Sequence, residues 1–397
     1  MSAKSYGFGV MLQSLLFITV GNIIETSYSP LDKIIKGHFL VDATLVGFLT
    51  SIIFIGLALI SPFVGFLVDH LGSFRAIKIG FLIMASGATI SAISPNYSMF
   101  AVGFLAIGSG YGIITPATNS AVMKAYFPYH ATPMGIKQSG VPIGASASAI
   151  ILPLIFLRFN FYAPFIFLAA ISFLFSIFIK GEKVEQKSPI LLRAYLKEIG
   201  TTMFNLKFLV TNVLVAVMSW GQQTLLTFAV LYNISLGYTL FTAEGLLASI
   251  LIGSLFGRIF WSWISSKIFK EMRIYSLVIV MIFSSLMFFV YAIRIHEIFY
   301  SITISFLIGM TAIGWNGVYI TVISETAPKR SIGMYSAMGL LLISIGAIVG
   351  TPLSGYIEDL TLNYSVVWDY LGVSILVSSL LLLFFFSRLI GKKNTDS

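Results

Sequence analysis

The sequence predicts an all-α integral membrane protein with twelve transmembrane helices, arranged as two halves of six. Of its 397 residues, 57% are hydrophobic and 10% are charged, whereas a soluble domain carries about 25% charged residues. Long apolar stretches recur along the chain, and similar segments recur at an offset of about 198 residues. This composition argues against a soluble enzyme and against a nucleic-acid-binding protein.

The apolar stretches are each about 19 to 26 residues long, which is enough to cross about 30 Å of hydrocarbon as a helix. Only helices fit, because backbone polar groups in lipid must be satisfied within the segment. In order, the predicted spans are 8–28, 43–66, 75–93, 98–123, 133–157, 162–180, 207–232, 243–266, 274–293, 298–323, 332–357 and 365–388.

These spans divide the chain into an N-terminal half (1–180), a cytoplasmic linker (181–206) and a C-terminal half (207–397). The linker is the only long polar stretch. Its residues 191–199 either form a short amphipathic helix on the membrane surface or belong to a solvated connection.

Lysine and arginine residues are distributed unevenly between the two sides of the predicted membrane. Of the 24 basic residues, 18 fall on the side that also holds both chain ends, 4 fall on the other side and 2 lie inside spans. The excess predicts a multi-pass protein of the cell membrane with both termini in the cytoplasm. Because the net charge of +9 is spread over short loops, nucleic acid is not expected as a partner.

Two pairs of segments carry the internal repeat. Residues 65–75 (GFLVDHLGSFR) correspond to residues 262–273 (SWISSKIFKEMR), and residues 126–140, which enter span five, correspond to residues 326–339, which enter span eleven. Two six-helix halves of the same orientation are typical of secondary transporters, in which the substrate site lies near the membrane midplane and one half rocks against the other.

At this point the chain resembles the major facilitator superfamily over nearly its whole length. The family's loop signature, G-x-L-x-D-x-x-G-x-[RK], appears as Gly65, Leu67, Asp69, Gly72 and Arg75, with the basic residue displaced by one place. The resemblance implies that this loop is a cytoplasmic latch whose gating residues are Asp69 and Arg75, with Gly65 and Gly72 shaping it. The alternative is that Asp69 only caps the turn that follows it.

Some positions depart from the family's pattern. Phe104 stands where the fourth span usually has a basic residue, and Ser266 replaces the latch carboxylate in the second half. The stretch GIKQSGVPIG (135–144) only loosely echoes an exporter signature. Its small residues and proline predict close helix packing and a bend.

Two basic residues are predicted inside the membrane. Lys137 lies about five residues into span five, roughly 7 Å from its cytoplasmic end, and Arg258 lies about eight residues into span eight. Ionisable groups at such depth suggest function, although Lys137 alternatively snorkels to the interface and Arg258 alternatively has a structural role. The resemblance implies that Arg258 is the counter-charge of the substrate, as in members that carry monocarboxylates and related anions. Without an equally deep acid, the substrate is expected to supply the negative charge.

Nine further polar residues complete the predicted substrate site. Each lies within a predicted span and is alternatively a contact between helices. They are Gln138, Tyr111, Thr115, Asn119, Gln222, Gln223, Trp315, Asn316 and Tyr335.

Two acids are candidates for proton coupling. Glu25 lies near the outer end of span one, and Glu244 lies at the outer start of span eight. Either is alternatively solvated at the extracellular mouth, and an anion symporter needs no dedicated acid, since the proton and a carboxylate can travel together. The histidines His38, His70, His130 and His296 fall in predicted loops and are assigned no coupling role.

Among function classes, the sequence favours secondary transport. It has no Gly-rich phosphate loop, no cluster of metal-binding side chains and no channel filter, so neither a cofactor nor a metal is expected. The preferred function is proton-coupled transport of a small organic anion, such as a carboxylate, by a monomer in the lipid bilayer. Two alternatives are an exporter of hydrophobic or amphipathic compounds and a non-transporting receptor or scaffold.

Overall fold

The computed structural model describes residues 3–41, 43–179, 192–270, 272–328 and 331–395. Within these ranges the chain is helical and contains no strand, which confirms the all-α prediction. In the same ranges, eleven segments are long and apolar enough to cross a membrane, and the shorter apolar helix Ala163–Phe178 makes the twelfth. The protein is an all-α membrane protein with twelve transmembrane helices.

The helices carry the following labels. Before the linker they are α1 (Ala3–Glu25), α2 (Asp32–Phe39), α3 (Ala43–Leu71), α4 (Ser73–Ala92), α5 (Tyr97–Tyr126), α6 (Ala131–Gln138), α7 (Gly140–Arg158) and α8 (Ala163–Phe178). After it they are α9 (Leu192–Met203), α10 (Leu206–Ser235), α11 (Leu240–Lys267), α12 (Arg273–Ala292), α13 (Ile298–Ile308), α14 (Asn316–Thr326), α15 (Ile332–Thr361) and α16 (Tyr364–Thr395). A 3-10 turn (Thr26–Leu31) joins α1 to α2, and a π-helical segment (Gly309–Ile313) follows α13.

Side-chain caps fix where several helices begin. The side chain of Asn96 accepts a hydrogen bond from the N–H of Met99 at the start of α5, and Asn205 accepts from Phe208 at the start of α10. Such caps satisfy N–H groups that have no partner within the helix.

Two predicted spans contain an irregularity. In span five, α6 and α7 meet at Ser139, which keeps a right-handed helical conformation and helical hydrogen bonds to Gly135 and from Ile143. Pro142 lacks an N–H group, so the carbonyl of Gln138, four residues earlier, loses its helical partner at this point. Span ten is interrupted by the π-helical segment, which inserts a wider turn before Trp315.

Part of the predicted linker is a helix. Residues 192–203 form α9, which agrees with the amphipathic-helix interpretation of residues 191–199 in its conformation. Residues 180–191, which include most of the polar linker, lie outside the described residues.

The helices pack into two compact units. The first contains Met1–Thr202 together with Ile323–Leu341, and the second contains Met203–Val322 together with Leu342–Ser397. We call Ile323–Leu341 the tip; it contains the end of α14 and the start of α15. In sequence the tip belongs to the predicted C-terminal half, yet it packs in the first unit.

Phe104 lies in an aromatic cluster of the first unit. It is fully buried, with its ring centroid 5.0 Å from that of Phe100 and 6.3 Å from that of Phe165. The position at which the family usually carries a basic residue is therefore part of the hydrophobic core here.

Candidate functional site

Lys137 is a buried cation at the end of α6. None of its surface is exposed, and its Nζ donates a 2.5 Å hydrogen bond to Oδ1 of Asn119 on α5, which is also fully buried. A hydrogen bond from a charged donor is stronger than one between neutral groups. Full burial against protein argues against the snorkelling alternative.

Close helix packing explains why this lysine is buried. A Cβ atom on Gly140 would lie 2.7 Å from the carbonyl oxygen of Leu15, and one on Gly144 would overlap Thr19, so the start of α7 lies directly against α1. The irregularity at Ser139 places the last turn of α6 beside this contact. Gln138, next to Lys137, is likewise buried.

A second polar group of the first unit lies around Asn22. Its Nδ2 donates to Oε2 of Glu25 at 3.1 Å and lies 3.4 Å from the hydroxyl of Tyr111. Thr115 lies one helical turn from Tyr111 on α5, and its buried hydroxyl has no hydrogen-bond partner among the described residues. Asn22 was not among the predicted site residues, because a lone amide on an apolar helix gives no signal in the sequence.

The predicted polar stripe of α5 therefore reaches both groups. Tyr111 contacts Asn22, while Asn119 contacts Lys137. The two ends of the stripe lie eight residues apart, which is about 12 Å along a helix. The first unit thus aligns an acid, a series of hydroxyl and amide groups, and a buried cation along one helix.

In the second unit, Arg258 occupies the middle of α11. Only 2% of its surface is exposed. The preceding residue, Gly257, touches the break in span ten, because a Cβ atom on Gly314 would lie 2.9 Å from the Cα of Gly257. Trp261, one turn further along α11, donates its indole N–H to the carbonyl of Met310 at 3.0 Å. Arg258 is therefore fixed beside the π-helical segment.

Amide groups lie immediately after that break. Nδ2 of Asn316 donates to Oε1 of Gln222 on α10 at 2.8 Å and to the carbonyl of Ile313 at 3.0 Å. Trp315 is 1% exposed, packs edge-on against Tyr319 and has an indole N–H without a hydrogen-bond partner among the described residues. The structure thus brings Gln222, Trp315 and Asn316 together.

The other predicted site residues are more dispersed. Gln223 is half-buried on α10, and Tyr335 is half-buried in the tip. Glu244 is exposed near the start of α11, whereas Glu25 is half-buried and hydrogen-bonded. Lys137 lies in the first unit and Arg258 in the second.

The predicted latch residues lie around the junction of α3 and α4. A Cβ atom on Gly65 would overlap Met334 of the tip, so only glycine allows this approach. Gly72 has a φ of 83° and precedes α4, a conformation that favours glycine. Asp69 is half-buried at the end of α3, and Arg75 is exposed on α4.

Sequence reasoning missed two contacts of the tip. The imidazole of His130 is fully buried, and its Nε2 lies 2.9 Å from Oε1 of Glu325. The hydroxyl of Ser331 donates to Oε1 of Glu198 on α9 at 2.6 Å. These residues lie in or beside short polar connections, which are usually solvated, so no sequence pattern singles them out.

A cavity of about 210 Å³ lies beside Glu325, away from the predicted substrate residues. Its lining residues are Met123, Lys124, Phe127, Ser324, Glu325, Ala327 and Ile332. In the part of the chain that the structure describes, no cluster of three or more histidine or acidic side chains is arranged to hold a metal ion.

Comparisons with known proteins agree with this architecture. A family model described as the Major Facilitator Superfamily matches residues 6–351. No match is found among curated protein sequences.

Solved structures share the fold at low sequence identity. A variant of the fucose:proton symporter FucP of E. coli is 16% identical, with a TM-score of 0.73 over 94% of this chain and 98% of that chain. FucP in the outward conformation is 15% identical, with a TM-score of 0.75 over 94% and 99%. The proton:xylose symporter XylE bound to 6-bromo-6-deoxy-D-glucose is 13% identical, with a TM-score of 0.77 over 96% of each chain.

Proposed function

The chain belongs to the Major Facilitator Superfamily, and we propose that it is a secondary transporter that moves a small organic anion across the cytoplasmic membrane together with a proton. Transporters built from two such halves bind their substrate near the membrane midplane and alternate its access between the two sides. The protein acts as a monomer in this proposal, since one copy contains twelve transmembrane helices.

The observation that carries the anion proposal is that each unit buries a basic side chain in the interior of a transmembrane segment, Lys137 in the first unit and Arg258 in the second. Arg273 of the second unit is also buried, but it is the first residue of α12. Lys137 is 0% exposed and Arg258 is 2% exposed. Ionisable groups inside membranes are costly and mark substrate or ion pathways. A guanidinium group suits a carboxylate because it can donate two parallel hydrogen bonds.

A second candidate substrate is a neutral sugar. Gln222 and Asn316 are hydrogen-bonded in the second unit, and Trp315, next to Asn316 in the chain, has an indole N–H without a partner among the described residues. Such groups orient hydroxyls, and the solved structures of similar fold are named as symporters of fucose and xylose. Because those proteins are at most 16% identical to this chain, the likeness alone does not transfer their substrates.

For proton coupling, we favour Glu25 over Glu244. Glu25 is half-buried and accepts a hydrogen bond from Asn22, which also contacts Tyr111, whereas Glu244 is exposed. Glu25→Gln should abolish accumulation driven by a pH gradient while substrate exchange between the two sides, which moves no net proton, continues. Glu244→Gln is the matched control and should retain both activities. Unchanged gradient-driven accumulation in Glu25→Gln would remove Glu25 from the coupling mechanism.

The substrate class is tested with purified protein in proteoliposomes. Uptake of radiolabelled monocarboxylates, dicarboxylates and hexoses is measured with and without an inward proton gradient. Removing one member of a buried charge pair costs about 2 kcal/mol or more, so Arg258→Ala should weaken the apparent affinity for an anion about 30-fold or more. Arg294→Ala, which removes an exposed arginine from the same unit, should leave it unchanged.

The outcomes separate the candidate functions. Carboxylate uptake that is lost in Arg258→Ala and in Lys137→Ala supports an anion transporter. Hexose uptake that is lost in Gln222→Ala, with no carboxylate uptake, replaces the anion proposal with the sugar. Transport restricted to amphipathic cations would overturn both and favour an exporter.

A further inference from the structure

Among the described residues, four contacts illustrate how the tip packs in the first unit. Two are polar, from Glu325 to His130 and from Ser331 to Glu198. Two are close backbone approaches: Gly65 faces Met334, and a Cβ atom on Gly333 would lie 3.0 Å from Val68. The tip contains only one end of α14 and one end of α15, and the rest of each helix belongs to the second unit.

The contact of His130 with Glu325 differs from the other three because its strength depends on protonation. Histidine is the side chain that ordinarily changes its charge between pH 5 and 8. Protonated, His130 forms an ion pair with the carboxylate at 2.9 Å; neutral, it keeps at most an ordinary hydrogen bond. Charge-assisted hydrogen bonds are roughly twice as strong as neutral ones.

The surroundings affect this difference in two ways. His130 is 0% exposed, and the ring of Phe127 lies parallel to the imidazole with the centroids 5.8 Å apart. Burial by itself disfavours the charged imidazole, whereas the attraction of the carboxylate 2.9 Å away, which is stronger in a low dielectric than in water, favours it. Glu325 is 29% exposed and borders the 210 Å³ cavity, which gives solvent, and therefore protons, a route to the pair.

Other charged or titratable groups lie on the neighbouring elements. Among the described residues they are Lys124 and Tyr126 of α5, Tyr129 of the following loop, Asp69 and His70 of α3, and Glu198 of α9. Lys329 and Arg330, between Glu325 and Ser331 in the sequence, lie outside the described residues. Lysine, arginine and carboxylate side chains ordinarily keep their charge between pH 6 and 8, so the test compares His130 with the other histidine on these elements, His70.

We propose that the His130–Glu325 pair is a proton-dependent lock that seats the tip in the first unit and slows the transport cycle when the cytoplasm becomes acidic. In this proposal the attraction of the Glu325 carboxylate exceeds the cost of burying the imidazolium charge, so that the seated tip favours protonated His130. By linkage, seating is strengthened as the pH falls and weakened as it rises through the titration range of histidine. The lock itself does not depend on the substrate, whereas its effect on transport rests on the proposed function and orientation.

The consequence for transport follows from the continuity of the helices. Because α14 and α15 connect the tip to the second unit, rocking of one half against the other requires the tip to leave its seat. A symporter that carries protons inward acidifies the compartment that its tip faces. The lock then closes as protons accumulate, which limits further uptake.

The lock is tested with spin labels in the full-length protein, because the chain has no native cysteine. Labels at Thr326→Cys in the tip and Lys78→Cys on α4, both exposed positions, report the distance between the tip and the rest of the first unit. Distance distributions are measured in nanodiscs at pH 6 and pH 8, without substrate. Couplings of this kind change equilibria about fivefold or more, so the ratio of seated to released tip should be about fivefold higher at pH 6.

The variants identify the group responsible. His130→Gln and Glu325→Gln should each abolish the pH dependence of the ratio, while His70→Gln, a histidine of the same unit, should retain it. Ser331→Ala should lower the seated fraction at both pH values and retain the dependence. A ratio that does not change with pH, or a change that persists in both His130→Gln and Glu325→Gln, would overturn the lock. Because no substrate is present, these outcomes are independent of whether anion transport is found.

Discussion

Lys137 is a cation whose entire side chain lies inside the protein, so the free energy of its charge depends on the groups around it. The Oδ1 atom of Asn119 provides one of them. The two residues come from helices that are separated in sequence by a loop, and each was predicted as a substrate contact. The structure adds that Asn119 supports Lys137, whether or not it also meets the substrate.

This pairing predicts a specific non-additivity. Asn119→Leu removes the acceptor and should lower the free energy of unfolding by about 2 kcal/mol, the usual penalty for a buried polar group that loses its hydrogen bond. Thermal melting in detergent measures the effect. Combining Asn119→Leu with Lys137→Met should recover much of the loss, because the charge is removed together with its acceptor. If the loss of stability in the double variant equals the sum of the losses in the two single variants, the two residues act independently.

At the scale of single residues, the sequence could select candidate residues but not their hydrogen-bond partners. Depth within a hydrophobic span was enough to select Lys137 and Arg258. It could not reveal the Gln222–Asn316 hydrogen bond or the contact of Asn22 with Glu25, because these depend on the rotation of each helix about its own axis. His130 was assigned to a solvated loop for the same reason, since burial of a loop side chain is a property of the tertiary structure.

Among the elements, α11 and the interrupted span ten approach each other closely in the second unit. Cβ atoms on Gly253 and Gly257 would overlap the backbone of Phe306 and Met310, and one on Gly309 would overlap Ile250. Such glycine-lined contacts are typical of membrane helices that pack closely. They set the position of Arg258 relative to the π-helical segment.

Gly257→Ala should therefore push the two segments apart. Overpacking of a well-packed contact costs about 1 to 3 kcal/mol, and the hydrogen bond from Trp261 to Met310 should lengthen. Gly245→Ala is the matched control on the same helix, because a Cβ atom there meets nothing within 4 Å; it should leave stability unchanged or raise it slightly. Melting temperatures and the tryptophan emission maximum of both variants provide the measurement, and an unperturbed Gly257→Ala variant would contradict the proposed constraint.

The existence and number of the membrane helices were predictable from hydrophobic length, but their interruptions were not. The irregularity between α6 and α7 follows from Pro142, a signal that the sequence contains and that predicted only a bend. The π-helical segment Gly309–Ile313 has no proline and lies directly against α11. Hydrophobic periodicity, which assumes a regular rotation of 100° per residue, does not distinguish a regular helix from one that is interrupted or contains a π-helical turn.

For the whole molecule, the distribution of basic residues predicts its orientation. The native chain lacks cysteine, so single cysteines can be introduced without background. In intact cells, a membrane-impermeant maleimide should label Arg294→Cys, an exposed position in the loop before α13, and should not label Lys78→Cys on α4. Permeabilised cells should show labelling at both positions. The reverse pattern would invert the predicted orientation and move the tip to the outer side.

The repeat in the sequence also predicted a division into two similar halves. It could not predict that a segment of the second half would pack in the first compact unit. The tip is contiguous with the C-terminal half in sequence and packs with the N-terminal helices. This placement depends on Gly65, Gly333 and two polar contacts made across more than 100 residues of chain.

The shared tip has a consequence for fragments of the chain. If the gene is divided within 181–190 and both pieces are expressed together, the second piece carries α9 and the tip, and both of these belong to the first unit. An affinity tag on either piece should then recover the other. Association of the two fragments would depend on the contacts of the tip with the first unit. Gly65→Val should weaken this association without altering the membrane insertion of either fragment.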